Sequence, residues 1–340
     1  VSTTGAQSYG EAITLGANTT LDAGAADVTL SSTVDGAYTL TVNTTGTTAF
    51  NGAVGSSAPL TSLTTNAGGT VLVNTPTVHT SGTQTYNDMV SLLVGSTLTG
   101  STVTFNDAVV GAGDMAVVGA AVLNAGTINT TGAQSYSATT TLVRDMVLTA
   151  GEVSFVGALD SASNTAHALT VNSSGATTFG GAVGATHALG SLSTNAGGTV
   201  AVNGGAVTTT GTQTYGEAMT LGIATTLNAS GVTFGNTVNG NASLSVNAPV
   251  TMNGGSVTTA GTQTYSQAVT LGADTSLTAT VGTVSFVSIA DGASSYNLNL
   301  NSATALVLHD VDIGGNLHGT IQSGGVSQHA GTSLNVGGAS

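Results

Sequence analysis

The sequence predicts an all-β chain wound as a single-stranded right-handed parallel β-helix (β-solenoid) of about 13 to 16 coils, and three observations carry that expectation. First, a seven-residue phrase recurs five times: TTGAQSY ending at Tyr9, TSGTQTY at Tyr86, TTGAQSY at Tyr136, TTGTQTY at Tyr215 and TAGTQTY at Tyr265. A long step from one phrase to the next alternates with a short one, and the pair of steps repeats almost evenly, from Tyr9 to Tyr136 and from Tyr136 to Tyr265. Repetition on this scale marks an array in which one supersecondary unit is stacked many times, each copy burying its apolar face on its neighbours. Second, strand-like runs of four to seven residues alternate with Gly, Asn or Asp, and nothing reads as a helix. Third, Phe105, Phe155 and Phe234 stand at position +23 from the Gly of their phrase, and Phe286 at +25. That echo fits one coil of three short strands and three corners.

Taken in order, the chain reads as one continuous body over 1–340, with internal units 1–77, 78–127, 128–206, 207–256 and 257–340. With the Gly-to-Phe interval as the coil, a short unit is two coils and a long unit three or four. Aligning the units on their tyrosines places Leu15, Leu92, Leu142, Leu221 and Leu271 in one column and Leu21, Leu98, Leu148, Leu227 and Leu277 in another. Ile13, Val90, Thr140, Met219 and Val269 stand two positions before the first column, on the same face of a strand, so these faces form the interior. Thr and Val between them favour extended backbone, while Gly and Asn tolerate the positive φ of tight corners. The long units add Tyr38 to Asn43, echoed at His167 to Asn172 and Tyr296 to Asn301, followed by Phe50, Phe179 and Leu308. Each then carries Leu-x-x-Leu-x-Thr-Asn-Ala-Gly-Gly, at Leu60 to Gly69 and Leu189 to Gly198, with a decayed copy around Leu317 to Gly325. Parallel coils spaced by ~4.8 Å would make a body ~60 to 80 Å long. Immunoglobulin-like sandwiches are the competing fold, but they need modules of roughly 100 residues, usually with a core Trp, and this chain has none.

Composition bounds the function. Fifteen acidic residues face one basic residue, Arg144, for a formal charge of −14, which excludes the basic footprint that nucleic-acid or anionic-membrane binding requires. Zero cysteine excludes disulfides and thiolate metal sites. No apolar run approaches the ~20 residues of a membrane span. The start at Val1-Ser2-Thr3, without Met or a leader pattern, leads us to expect a mature or excised segment.

Phrases such as TTGTQTYGEAMTLG, LTTNAGGTV and VNGGAVTTTGTQTY resemble the β-strand repeats of very large bacterial cell-surface and secreted proteins. That broad group includes filamentous-haemagglutinin-like adhesins and autotransporter passengers. The resemblance covers almost the whole chain and implies a right-handed β-helix displayed outside the cell, used for adhesion, matrix building or reach. It implies a host or matrix surface as ligand and names no receptor. The chain departs from the group in two ways: it carries no secretion domain or translocator barrel, and from Ser288 onward it follows the repeat loosely.

Parallel β-helices also include pectate-lyase-like enzymes and glycosidases, so a carbohydrate-active enzyme is the alternative reading. Such chemistry needs carboxylates within reach of one another, ~5 to 10 Å for a glycosidase pair. The acidic column Glu11, Asp88 and Glu217 recurs only with the long period, so its members stand coils apart, and each is expected at a solvated corner after its Tyr. His309, Asp310 and Asp312, with His318 and His329 downstream, are the densest set of potential metal ligands, and they fall where the repeats weaken. Arg144 and Asp145 replace Ala17 and Asn18 at a corner and read as an exposed local ion pair. The Gly-Gly pairs precede strands, so no phosphate loop is expected, and the calcium nonapeptide of β-rolls is absent. The expectation is therefore a non-enzymatic chain with no catalytic, cofactor or metal residues; structural calcium is the one exception left open. The next phrase would fall due just after Ser340, and Val1 to Tyr9 supplies it, so head-to-tail stacking of end coils is expected.

Overall fold

The computed structural model describes residues 1–163, 165–328 and 334–336. Every regular element among them is a strand, and together they form a parallel β-solenoid of about 16 turns. Two compact units are present, residues 1–162 with 171–174 and residues 163–170 with 175–340.

In the first unit three faces run up the solenoid. Face a begins Gln7–Tyr9, Val28–Leu30, Thr47–Phe50, Thr70–Val73, each strand paired in parallel with the next. Face b begins Thr19–Gly24, Thr39–Thr44, Ser62–Thr65, Thr83–Tyr86. Face c passes through Val34, Val54 and Thr77–His79 to the first half of Ser96–Phe105. The second unit repeats the plan. Face d carries Thr212–Tyr215, Gly231–Phe234 and Val250–Met252. Face e carries Ala218–Leu221, Val238–Gly240, Ser256–Thr259, Thr275–Ala279, Leu298–Ser302 and Leu317–Ile321. Face f carries Thr225–Asn228, Leu244–Asn247 and the start of Gln263–Leu271.

The coil is shorter than the sequence suggests. Residues one coil apart are most often 19 positions apart, as in Gln84↔Val103, Gln134↔Val153 and Gln213↔Val232, rising to 24 where a corner is long, as in Val54↔Val78. Counting from the phrase Gly to the Phe overshoots because the residue beneath Phe105, Phe155, Phe234 and Phe286 is the phrase Tyr. Tyr86 stacks on Phe105 with centroids 5.6 Å apart, Tyr136 on Phe155 at 5.0 Å and Tyr215 on Phe234 at 6.1 Å. The short step between phrases is therefore not two coils but two coils and two further strands. Successive phrases land on different faces: Gln7–Tyr9 on face a, Thr83–Tyr86 on face b and Gln134–Tyr136 on face c.

The core is the set of inward side chains. Both leucine columns are buried throughout, as are all six phenylalanines. Val90, Thr140, Met219 and Val269 are buried too, while Ile13 in the first coil is half-exposed. Gly119 shows why some corners need glycine: its φ is +125°, and a Cβ there would stand 1.8 Å from the carbonyl oxygen of Gly100 on the coil below.

The phrase is a buried polar clamp. In the copy on face b, Gln84 donates through Nε2 to the Val78 carbonyl at 3.0 Å and to the Thr99 carbonyl of the next coil at 2.7 Å, and accepts from the Tyr86 hydroxyl at 2.9 Å. The phrase's first Thr, Thr80, donates to the Gly82 carbonyl at 2.9 Å and fixes the corner. Gln134, Gln213 and Gln263 repeat the pattern with the carbonyls of Ile128 and Thr149, Val207 and Asn228, Val257 and Thr278. Gln7 makes the same clamp at the first coil, with the carbonyls of Val1 and Asp22 and the hydroxyl of Tyr9. The repeated spacing thus gives corner carbonyls a second donor from inside the coil, since the Thr99 carbonyl also accepts the Thr80 N–H at 2.8 Å and the Asn228 carbonyl the Thr209 N–H at 2.9 Å. Burial holds the hydroxyls of Tyr86, Tyr136, Tyr215 and Tyr265 far above their ordinary pKa, so each stays a donor.

Gln84→Leu should leave the Tyr86 hydroxyl unpaired in the core and remove the inward donor from two carbonyls, of which Thr99 keeps the Thr80 N–H, lowering the stability of the first unit by roughly 2 to 3 kcal/mol, whereas Tyr86→Phe, which strands only the Gln84 Oε1, should cost about 1 kcal/mol. Urea melts of the two variants check the order; equal losses would mean that the amide does not hold the corner.

Candidate functional site

The two residues after the phrase Tyr turn the next corner, and here the structure corrects the expected solvated column. Glu11 is exposed, but Asp88 and Glu217 are each only 1% exposed. The reason lies one coil below. Register pairs Thr70 with Met89 and Thr199 with Ala218, so the loops Asn66 to Gly69 and Asn195 to Gly198 share a corner with Asn87-Asp88 and Gly216-Glu217. Four residues arching across a turn that the next coil makes in two leave a recess, and the acidic side chain fills it. Glu11 lies in the first coil and has no such arch beneath it.

In the shorter version, Asp88 Oδ1 accepts the Gly69 N–H at 2.7 Å while Oδ2 has no partner. Burial pushes its carboxyl up, opposed by the Gly69 N–H and the Thr65 hydroxyl. Glu217 is one methylene longer, and both its carboxylate oxygens are buried without a partner, as is Thr194 Oγ1, which precedes the arch. With burial unopposed, its pKa rises to about 7. The arch motif and the acid belong to separate phrases, yet Asn66 stands as far before Asp88 as Asn195 does before Glu217, a signal that could have joined them.

The other candidates are dispersed. Asp310 and Asp312 point outward on Asp310–Ile313 of face d, and Asp312 Oδ1 accepts from Asn335 Nδ2 at 2.6 Å. His318 lies on face e beside Asn299, its Nε2 3.4 Å from Thr320 Oγ1. His309 is half-buried just before Asp310, and His329 lies outside the described residues. Among the described residues no three His, Cys, Asp or Glu side chains gather as a metal site. Arg144 is exposed, reaches the Asn124 carbonyl through Nη1 at 3.5 Å and lies over Gly126.

Most of the acidic groups act as corner caps. Asp22, Asp27, Asp35, Asp88, Asp107, Asp114, Asp274 and Asp291 each accept at least one backbone N–H. Asp274 accepts both the backbone and side-chain N–H of Asn297, which lowers its pKa. Comparison with family models, with curated proteins and with solved structures returned no match.

Glu217 should make stability depend on pH. Its folded pKa of about 7 exceeds the ordinary 4.5, so the folded chain holds a proton that the unfolded chain releases. The contribution is whole below pH 4.5 and is lost as pH rises through 7, amounting to roughly 3 kcal/mol. Glu217→Gln should flatten the stability profile between pH 5 and 8, as read by chemical denaturation; an unchanged slope would place the charge in contact with water.

Proposed function

We propose that this chain is a non-catalytic extracellular β-solenoid, a segment of a bacterial surface adhesin or stalk or the subunit of a secreted filament. The observation that supports it most is the fivefold clamp. One device is repeated with equivalent partners, which builds length and stiffness, whereas an enzyme concentrates unusual groups at one place. The use of carboxylates as corner caps agrees with this, because a side chain held by a backbone N–H is a poor general acid or base.

The first coil supports end-to-end association. Its apolar interior opens into a cavity of about 270 Å³ lined by Tyr9, Ile13, Leu15, Leu21, Val34 and Leu40. Toward the other end of the chain, Val326 and Leu334 are 60% and 51% exposed. A further solenoid coil would cover such an edge and pair its backbone, and this head-to-tail contact does not close on itself.

Electron micrographs of the concentrated protein should show rods that lengthen with concentration. Ser8→Pro, which removes a backbone donor from the first strand, should abolish the lengthening while leaving the monomer folded. Incubation with pectin, alginate and hyaluronan should release no new reducing ends. Monodisperse particles at every concentration would sink the filament reading, and new reducing ends would sink the non-catalytic one.

A further inference from the structure

Face e of the second unit carries a trough that the structural role leaves unused. Two cavities, about 490 and 180 Å³, lie along it and share Thr280. Their walls are built on one outward column, Thr220, Asn239, Thr258, Thr278, Asn301 and Thr320, held in register over six successive coils. The floor is kept low by small residues at the strand ends. Gly240 is one of them, and a Cβ there would stand 2.7 Å from Leu221 Cβ and the Leu221 carbonyl oxygen. Gly222 is another, where a Cβ would collide with Asn203 Oδ1.

We propose that this trough binds a linear, uncharged polysaccharide laid along the stacked coils. The lining holds hydroxyls, amides, Gly, Ala and Leu221 and no carboxylate or basic group, and the one ionisable neighbour is His318, beside Thr320 at its far end. Thr220, Asn241, Thr258 and Thr280 have no side-chain hydrogen bond to any described residue, so their donors and acceptors are free for a ligand. A neutral trough on a chain of charge −14 offers a polyanion no counter-charge and a net repulsion. A peptide strand finds no edge along most of the trough, because from Ala218–Leu221 to Leu298–Ser302 the backbone groups of face e already pair with the coils on either side. Sugar hydroxyls match the Thr and Asn side chains, and the coil spacing of ~4.8 Å is close to the advance of one ring along an extended glycan. No aromatic platform is present in the lining, so each ring contributes little and affinity must accumulate along the column. This binding is separate from the proposed filament role, since only Thr320 and Gln322 of the lining fall in the last described turn and the column from Thr220 to Asn301 lies in earlier coils.

The test is affinity electrophoresis through gels containing soluble β-glucan, xyloglucan or dextran, with polygalacturonate as the acidic counterpart. We expect retardation by at least one neutral polymer and none by polygalacturonate. Binding of matching oligosaccharides should strengthen with length to about six rings and then level off. Asn239→Leu with Thr258→Leu, both outward and away from the core, should weaken binding at least tenfold. Thr233→Leu with Thr251→Leu, outward on face d, should leave it unchanged. Free migration in all three neutral gels, retardation by polygalacturonate alone, or equal loss in the face d pair would overturn the proposal. Fibre formation is scored separately on the same variants, so failure of one reading leaves the other standing.

Discussion

Everything in this solenoid depends on closing one short coil after another without stranding the polar backbone of the corners. Parallel pairing with the coils above and below satisfies the amides along the strands and continues into the corners, where the Thr80 N–H meets the Thr99 carbonyl, but there each carbonyl has room for a second donor from inside the turn. The glutamine of the repeated phrase supplies that donor. Its amide reaches the corner carbonyl six residues back and another carbonyl fifteen residues on, and its oxygen is held by the tyrosine two residues later. A buried network of this kind stabilises only if every member is matched, and the spacing T-x-G-x-Q-x-Y is the spacing that matches them. The stacked Tyr–Phe pairs then lock neighbouring coils in register.

Acidic residues solve the same problem from outside. In a chain with a single arginine and no lysine, ion pairing cannot be their general purpose. Asp35 receives the N–H groups of Ser57 and Ala58, and Asp291 those of Tyr296 and Gly314, two donors each at places where the corner widens. Asp88 and Glu217 extend the device to an enclosed recess. The aspartate still finds a donor there; the glutamate, reaching one carbon further, passes it.

Fold and core were legible in the sequence because period-two apolar spacing survives stacking: every leucine assigned to the interior lies there. The coil length was not, since the echo was measured from a corner glycine and the stacking partner is the tyrosine four residues later. Burial of Asp88 and Glu217 was hidden for a related reason. Their covering loops come a full coil earlier and belong to another motif, so no local pattern marks the acid as enclosed. The trough on face e was illegible for a third reason, because its column mixes Thr and Asn at outward positions that any solvated strand could carry.

The mismatch between repeat and coil has a genetic side. Between Thr212–Tyr215 and the start of Gln263–Leu271 the path advances by eight strands, which is one short of three full turns. Loss or duplication of such a unit, an accident to which repetitive DNA is prone, would keep each clamp intact yet rotate all that follows by a third of a revolution about the axis. A lineage carrying this gene could thus re-aim whatever its distal coils display without altering a single side chain.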